Sequence, residues 1–120
     1  MNVLLRILVV ITVVSSAMVG SSRAQDQEKQ ALALLRTSSA QSAIITFCTK
    51  HFTIDSTIAL RISQTARDVA TEILGKEQSE AAFKSELARR FDEVKAVGEQ
   101  QWCADQRMAL AGDEVQIFRD

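Results

Sequence analysis

Residues 55–75, which read DSTIALRISQTARDVATEILG, decide the fold class of this chain. Their apolar side chains recur at spacings of four, four, three and four residues, at Ile58, Ile62, Ala66, Val69 and Ile73. That period is typical of one face of an α-helix. Asp55 or Ser56 suits the N-cap of this helix, and Gly75 suits the left-handed position that follows a helix end. The stretch therefore predicts an amphipathic helix.

A second helix is predicted upstream, with Asp26 as the N-cap that places negative charge at the helix start. Its apolar residues fall near one side, at Leu32, Leu35, Ile45, Cys48 and Phe52. The middle of this segment, residues 37–42, reads TSSAQS and is polar and small. Two interpretations fit that composition: a bend in the helix, or a place where another helix packs closely.

Residues 78–94 predict a third helix, in which Ser79 is a natural N-cap and Glu80 suits the first turn. Its apolar stripe has spacings of four and three, at Phe83, Leu87, Phe91 and Val94. Glu86 and Arg90 lie four residues apart and are predicted to form an ion pair on the opposite, solvated face.

Gly98 then either ends this helix or marks a kink before a fourth one. Four residues after it fall near one side of a helix, at Trp102, Cys103, Gln106 and Leu110. Residues 113–120 contain three apolar side chains, Val115, Ile117 and Phe118, which predict a tail that lies on the core.

Proline is absent and only four glycines occur, so few residues interrupt helices. Short connections between helices favour antiparallel neighbours. The sequence therefore predicts an all-α fold: a small antiparallel bundle of three to four helices with one disulfide, preceded by a signal peptide.

The start of the chain has the pattern of a secretory signal peptide. A short basic start that contains Arg6 precedes the apolar residues 7–14, which are interrupted by one threonine. Small residues then follow as far as Ala24. This order matches the basic, apolar and cleavage regions of a leader, and it predicts a periplasmic or secreted protein.

We predict that the leader comprises residues 1–24, with cleavage after Ala24, and that residues 25–120 form one helical domain. Cleavage after Ala17 is a weaker alternative. A retained membrane anchor is a further alternative, although the apolar segment is shorter than the roughly 20 residues that a spanning helix needs. Contact with a membrane is expected only if the leader is not cleaved.

The predicted mature chain is mildly acidic. Removal of Arg6 and Arg23 with the leader leaves 14 − 2 = 12 basic side chains against 15 acidic ones, a net charge of −3. A nucleic-acid-binding protein is expected to have a clustered basic surface, and an anionic lipid surface likewise attracts basic segments. We therefore expect no nucleic-acid partner and no electrostatic binding to lipid.

Cys48 and Cys103 are the only two cysteines, and both follow the leader. An even count in an oxidising compartment predicts a disulfide, which would stabilise the fold by about 4 kcal/mol in the chain-entropy description. A bridge between chains and two free thiols are the alternatives.

The same region also offers weak candidates for a metal site. Cys48 and His51 are three residues apart, and Cys103 with Asp105 would complete a ligand set. Structural zinc sites usually have paired ligands at both ends, and here only one end has a pair. A disulfide would also consume both thiolates, so no metal site and no cofactor are predicted. The Cys-x-x-Cys-His pattern of c-type haem is absent from the sequence.

The sequence does not favour an enzyme. His51 is the only histidine, and its one candidate carboxylate partner, Asp55, follows it across an expected turn. The neighbouring acids Asp92 and Glu93 point apart on a helix and are expected to be solvated.

The predicted function is therefore non-enzymatic binding of another protein, in envelope stress, in a chaperone-like role or in host contact. The alternative is a small periplasmic carrier of a ligand or metal, using Cys48, His51 and the bundle interior. Neither the partner nor the oligomeric state is predicted.

Overall fold

The lack of helix-breaking residues is matched by a structure built from long helices. The computed structural model describes the backbone of residues 2–120 and the side chains of residues 22–120. The helices are α1 (Asn2–Cys48), α2 (Ser56–Leu74), α3 (Lys76–Val97) and α4 (Glu99–Leu110). The described chain contains four helices and no strand, which confirms the all-α prediction.

Most of the leader predicted at residues 1–24 lies outside the side chains that the structure describes. Within the described residues, no helix combines the length and the apolar character needed to cross a membrane.

The core residues show how α1, α2 and α3 run relative to one another. Near Leu35 of α1, the core contains Ala70 of α2 and Phe83 of α3. Further along α1, the core around Ile44 contains Ala59 of α2 and Val94 of α3. The residue numbers fall on α2 and rise on α3 as they rise on α1. Helix α2 therefore runs antiparallel to α1, and α3 runs in the same direction as α1.

Helix α1 does not begin at the predicted cap. Asp26 lies inside the helix, which continues without interruption to Cys48. Residues 23–48 contain no proline or glycine, so nothing in this stretch forces a helix to start at Asp26. Residues 22–30 are all exposed, and Ala31 is the first buried residue among the described side chains.

Single glycines join the last three helices. Gly75 connects α2 to α3 and Gly98 connects α3 to α4, with φ of 86° and 90° and ψ of 160° and 148°. The positive φ agrees with the prediction for Gly75, but the ψ is extended and not left-handed helical. This conformation is open almost exclusively to glycine.

The predicted N-cap of α3 is also wrong. The helix starts at Lys76, three residues before Ser79, because the glycine junction replaces a side-chain cap. Ser79 is buried in the first turn, where its hydroxyl accepts a hydrogen bond of 3.0 Å from the Thr71 hydroxyl.

Glu86 and Arg90 form the predicted ion pair, with 3.8 Å between Arg90 Nη2 and Glu86 Oε2, but they do not lie on a solvated face. Each side chain is only 15% exposed, and Arg36 of α1 lies 3.7 Å from Glu86. The predicted core stripe is correspondingly incomplete. Phe83 and Val94 are buried, Leu87 is partly buried, and Phe91 is exposed.

The disulfide joins the end of α1 to α4. Cys48 and Cys103 are fully buried, with their Cα atoms 5.5 Å apart, and they share a core cluster with Trp102. The intramolecular bridge predicted from the cysteine count is therefore present. The tail contributes Ile117 and Phe118 to the same cluster, whereas Val115, which was expected to join them, is 52% exposed.

Candidate functional site

Close contact between α1 and α2 is made by serines. Ser38 donates its hydroxyl to the Ser63 carbonyl at 2.8 Å, and Ser63 donates to the Ser38 carbonyl at 3.0 Å. The hydroxyl of Ser42 lies 3.0 Å from that of Ser63. Side chains this short bring the two backbones together. The polar segment at residues 37–42 is therefore a place of close packing, and not a bend.

Because of the serine contact, the buried face of α2 differs from the predicted apolar stripe. The residues of α2 that enter the core are small: Ala59, Ser63, Ala66 and Ala70. Of the predicted apolar stripe, only Ala66 is among them. Val69 and Ile73 are 39% and 36% exposed. Because small residues fill the space nearest α1, the larger side chains stand beside the helix contact and not within it.

Beside this contact, Val69 and Ile62 line an open channel between α1 and α2, which we call the apolar groove. It has a volume of about 380 Å³. Its lining comes from both helices: Leu34, Thr37, Arg61, Ile62, Thr65, Ala66 and Val69. Ile62 and Val69 belong to the predicted apolar stripe of α2, and Thr37 belongs to the polar segment 37–42, whereas Leu34 was not among the predicted apolar residues of α1.

The surface of the apolar groove is almost entirely apolar. The Thr37 hydroxyl donates to the Ala33 carbonyl at 3.3 Å, so it bonds within its own helix. Arg61 is the only charged side chain in the lining, and it is exposed. The groove is therefore suited to bind a row of apolar side chains, and one positive charge lies beside it.

His51 lies in the turn after α1, where it and Lys50 both contact the Glu99 carboxylate. Its Nε2 is 3.3 Å from Glu99 Oε1, and Lys50 Nζ is 2.8 Å from the same oxygen. The hydrogen bond from Lys50, followed by that from His51, lowers the pKa of Glu99. His51 thus helps to tie the turn after α1 to the start of α4.

The other weak metal candidate is placed elsewhere. Asp105 accepts a hydrogen bond of 2.8 Å from Gln101, one turn earlier on α4. Both cysteine sulfurs are in the disulfide. Among the described residues, no group of three or more histidine, cysteine or carboxylate side chains is arranged to hold a metal ion.

The acids considered for catalysis have structural partners. Asp55 caps α2 by accepting from the Ile58 amide at 3.1 Å and pairs with Arg119 at 2.7 Å. Glu93, which was expected to be solvated, accepts from Arg90 at 2.8 Å and from the Trp102 indole at 3.2 Å. The indole N–H needs an acceptor where it is buried, and this explains the position of Glu93.

Comparison with known proteins adds no relative from which a function could be transferred: no family model, no curated protein and no solved structure matches this chain.

Proposed function

We propose that the protein is exported by a signal peptide at residues 1–24 and that residues 25–120 act in the periplasm or outside the cell as a non-enzymatic protein-binding domain. The basic, apolar and small-residue order of the leader supports export. The buried disulfide between Cys48 and Cys103 is consistent with an oxidising compartment. Envelope stress, a chaperone-like role or host contact would suit such a domain.

The observation that carries the binding proposal is the apolar groove. Ile62 and Val69 are large apolar residues of an amphipathic helix, yet they line an open channel. A channel between two helices is complementary to a third helix, whose apolar residues at every third or fourth position enter it as a ridge. The partner we propose is therefore the apolar face of an amphipathic helix.

The charge beside the apolar groove adds a second expected feature to the partner helix. Arg61 lines the groove and is exposed. An acidic side chain at the edge of the partner's apolar face would pair with it, and such rim charges influence orientation and association rate more than affinity. We expect the bound helix to carry an acidic residue at this edge.

Site-specific photocrosslinking in the exporting cell tests this proposal. A photoreactive residue replaces Val69 in the groove, or Leu60 as the matched control. Leu60 is 50% exposed on the same helix and does not line the groove. We expect position 69 alone to crosslink to a segment with helical apolar spacing and an adjacent acid.

Equal crosslinking from both positions, or none from position 69, would reject the groove as the binding site. Crosslinks from position 69 to this chain itself would replace the proposed partner with a second copy. The mass of the recovered protein tests the export proposal separately, because cleavage after Ala24 gives a chain that starts at Gln25.

A further inference from the structure

The tail of the protein forms a strap over the connection between α1 and α2. The strap comprises residues 113–120. The Asp55 amide donates to the Ile117 carbonyl at 2.8 Å, and the Arg119 amide donates to the Thr53 carbonyl at 2.9 Å. These two bonds flank a single antiparallel bridge between Ile54 and Phe118. An extended segment is thus attached to a helical protein through only a few residues.

Two carboxylates supply most of the side-chain anchors of the strap. Asp55 Oδ2 lies 2.7 Å from the Arg119 guanidinium. The two carboxylate oxygens of Asp120 lie 3.1 and 3.0 Å from the Thr53 amide nitrogen, which donates to them. Arg107 of α4 donates to the Asp120 backbone carbonyl at 2.6 Å. Asp55 and Asp120 therefore anchor the strap on opposite sides of the bridge between Ile54 and Phe118.

The strap covers apolar surface. Ile117 and Phe118 are buried in the cluster that contains the disulfide and Trp102. The Phe118 ring also meets the Phe52 ring edge-on, with centroids 5.7 Å apart. If the strap leaves, these side chains and the cluster surface beneath them become accessible.

We propose that the strap is an acid-released cover: protonation of Asp55 and Asp120 frees residues 113–120 and exposes the apolar cluster around Phe52 and Phe118 while the four helices stay folded. This inference goes beyond the proposed function, since the apolar groove lies between α1 and α2 and involves none of the strap residues.

The electrostatics of the strap support release in acid. The hydrogen bond from Arg119 is the largest cause that lowers the pKa of Asp55, with a smaller effect from Arg61. Hydrogen bonds from Thr53 lower the pKa of Asp120, and Arg107 adds to this. A carboxylate with a lowered folded-state pKa stabilises the folded arrangement above its unfolded pKa, near 4, and loses that effect as the pH falls further. Release is therefore expected below about pH 4.

Among the remaining charged groups, Arg107 donates to the Asp120 backbone carbonyl, and this contact does not require either aspartate side chain to be ionised. Lys50 and His51 bind Glu99 at the start of α4 and not the strap. The hydrogen bond from Lys50 lowers the pKa of Glu99, so this contact weakens over the same acid range. The disulfide between Cys48 and Cys103 keeps α4 attached to α1 and does not depend on pH in this range. The helices can therefore stay assembled after the strap leaves.

Amide hydrogen exchange on the purified protein tests the proposal, with rates corrected for the intrinsic effect of pH. Below about pH 4, we expect the amides of Asp55 and Arg119 to lose most of their protection, because the carboxylates that hold the strap lose their charge. Amides in the middle of α2 should keep theirs. A dye that binds apolar surface should gain fluorescence over the same pH range.

The double variant Asp55→Asn/Asp120→Asn imitates the protonated state at pH 7. Asparagine is still a good N-cap, so α2 keeps its start while the charges are lost. We expect the strap amides to lose protection at pH 7 with unchanged helical circular dichroism. Asp113→Asn is the control, because the Asp113 carboxylate takes no part in anchoring the strap.

Two results would overturn the proposal. One is a strap that stays protected in the double variant at pH 7 and in the unmodified protein at pH 3. The other is loss of strap protection only together with the amides of α2, which would indicate general unfolding. Because the groove residues are unchanged, crosslinking from position 69 at pH 7 is unaffected by either outcome.

Discussion

Ser63 shows how one small buried residue determines how closely two helices pack and which apolar side chains stay at the surface. It is buried, and its hydroxyl and carbonyl both bond to Ser38 of α1. A buried hydroxyl is tolerated where its bonding capacity is satisfied. The short side chain brings α1 and α2 close together, and the neighbouring Ile62 then lines the apolar groove.

Replacing Ser63 by leucine should therefore be strongly destabilising. The larger side chain would overfill the contact and remove the buried hydroxyl that donates to the Ser38 carbonyl. We therefore expect a loss of about 2–4 kcal/mol in the free energy of unfolding. Urea denaturation followed by circular dichroism measures this. Gln64→Leu is the matched control, since Gln64 is exposed on the same helix. Equal stability of the two variants would show that the serine contact is unimportant.

The helical elements were largely predictable because helical period and turn residues are local signals. Asp55 caps α2, and Gly75 and Gly98 end α2 and α3. The start of α3 was missed because Ser79 is a good cap residue in isolation, while a glycine junction leaves no room for a separate cap.

The buried face of α2 was not predictable from its period. Ile58 and Val69 give the helix an apolar stripe, but Ala59 and Ser63 occupy the core. Hydropathy ranks isoleucine and valine above serine, whereas the close approach of α1 selects small side chains. That selection depends on residues more than 20 positions away in the chain, and no local pattern contains it.

Replacement of Gly75 tests whether the junction between α2 and α3 requires a glycine. An added Cβ would meet no atom within 4 Å, so space is not limiting, but the φ of +86° disfavours any side chain. We expect Gly75→Ala to lower the free energy of unfolding by about 1–3 kcal/mol.

Thermal denaturation of Gly75→Ala and Gly112→Ala compares this junction with an unstrained glycine. Gly112 also has open space around it and no positive φ, so its replacement should change stability by less than about 0.5 kcal/mol. Similar melting temperatures for the two variants would contradict a conformational requirement at Gly75.

At the scale of the whole molecule, the disulfide links the first helix of the fold to the last. Cys48 closes α1, and Cys103 lies in α4, which is only 12 residues long. A helix of that length is marginal by itself. Removing the bridge should therefore destabilise the protein by about 4 kcal/mol, with α4 losing its structure first.

Denaturation with and without a reducing agent measures the contribution of the bridge. A variant with alanine at Cys48 and Cys103 should resemble the reduced protein and should not respond to the reducing agent. Unchanged stability of the protein after full reduction would show that packing around Trp102 is enough to hold α4 in place.

The bridge could be predicted from the count of cysteines, but the contacts that anchor the strap and the position of the groove could not. Both arise from contacts between segments that are far apart in the sequence, such as the ion pair of Asp55 with Arg119. No local sequence pattern marks such residues as partners. The expectation that Ile117 and Phe118 lie on the core was correct because two apolar residues in a polar tail are a local signal.

The separation of 55 residues between Cys48 and Cys103 also dictates the order of events during biogenesis. In the proposed export, Cys48 reaches the far side of the membrane first and waits while α2 and α3 are still being translocated. Thiol–disulfide exchange proceeds through a mixed disulfide, so an oxidant that reacts with Cys48 early has no resolving thiol within reach. Correct pairing therefore depends on late oxidation, or on an oxidase that stays bound to Cys48 until α4 emerges.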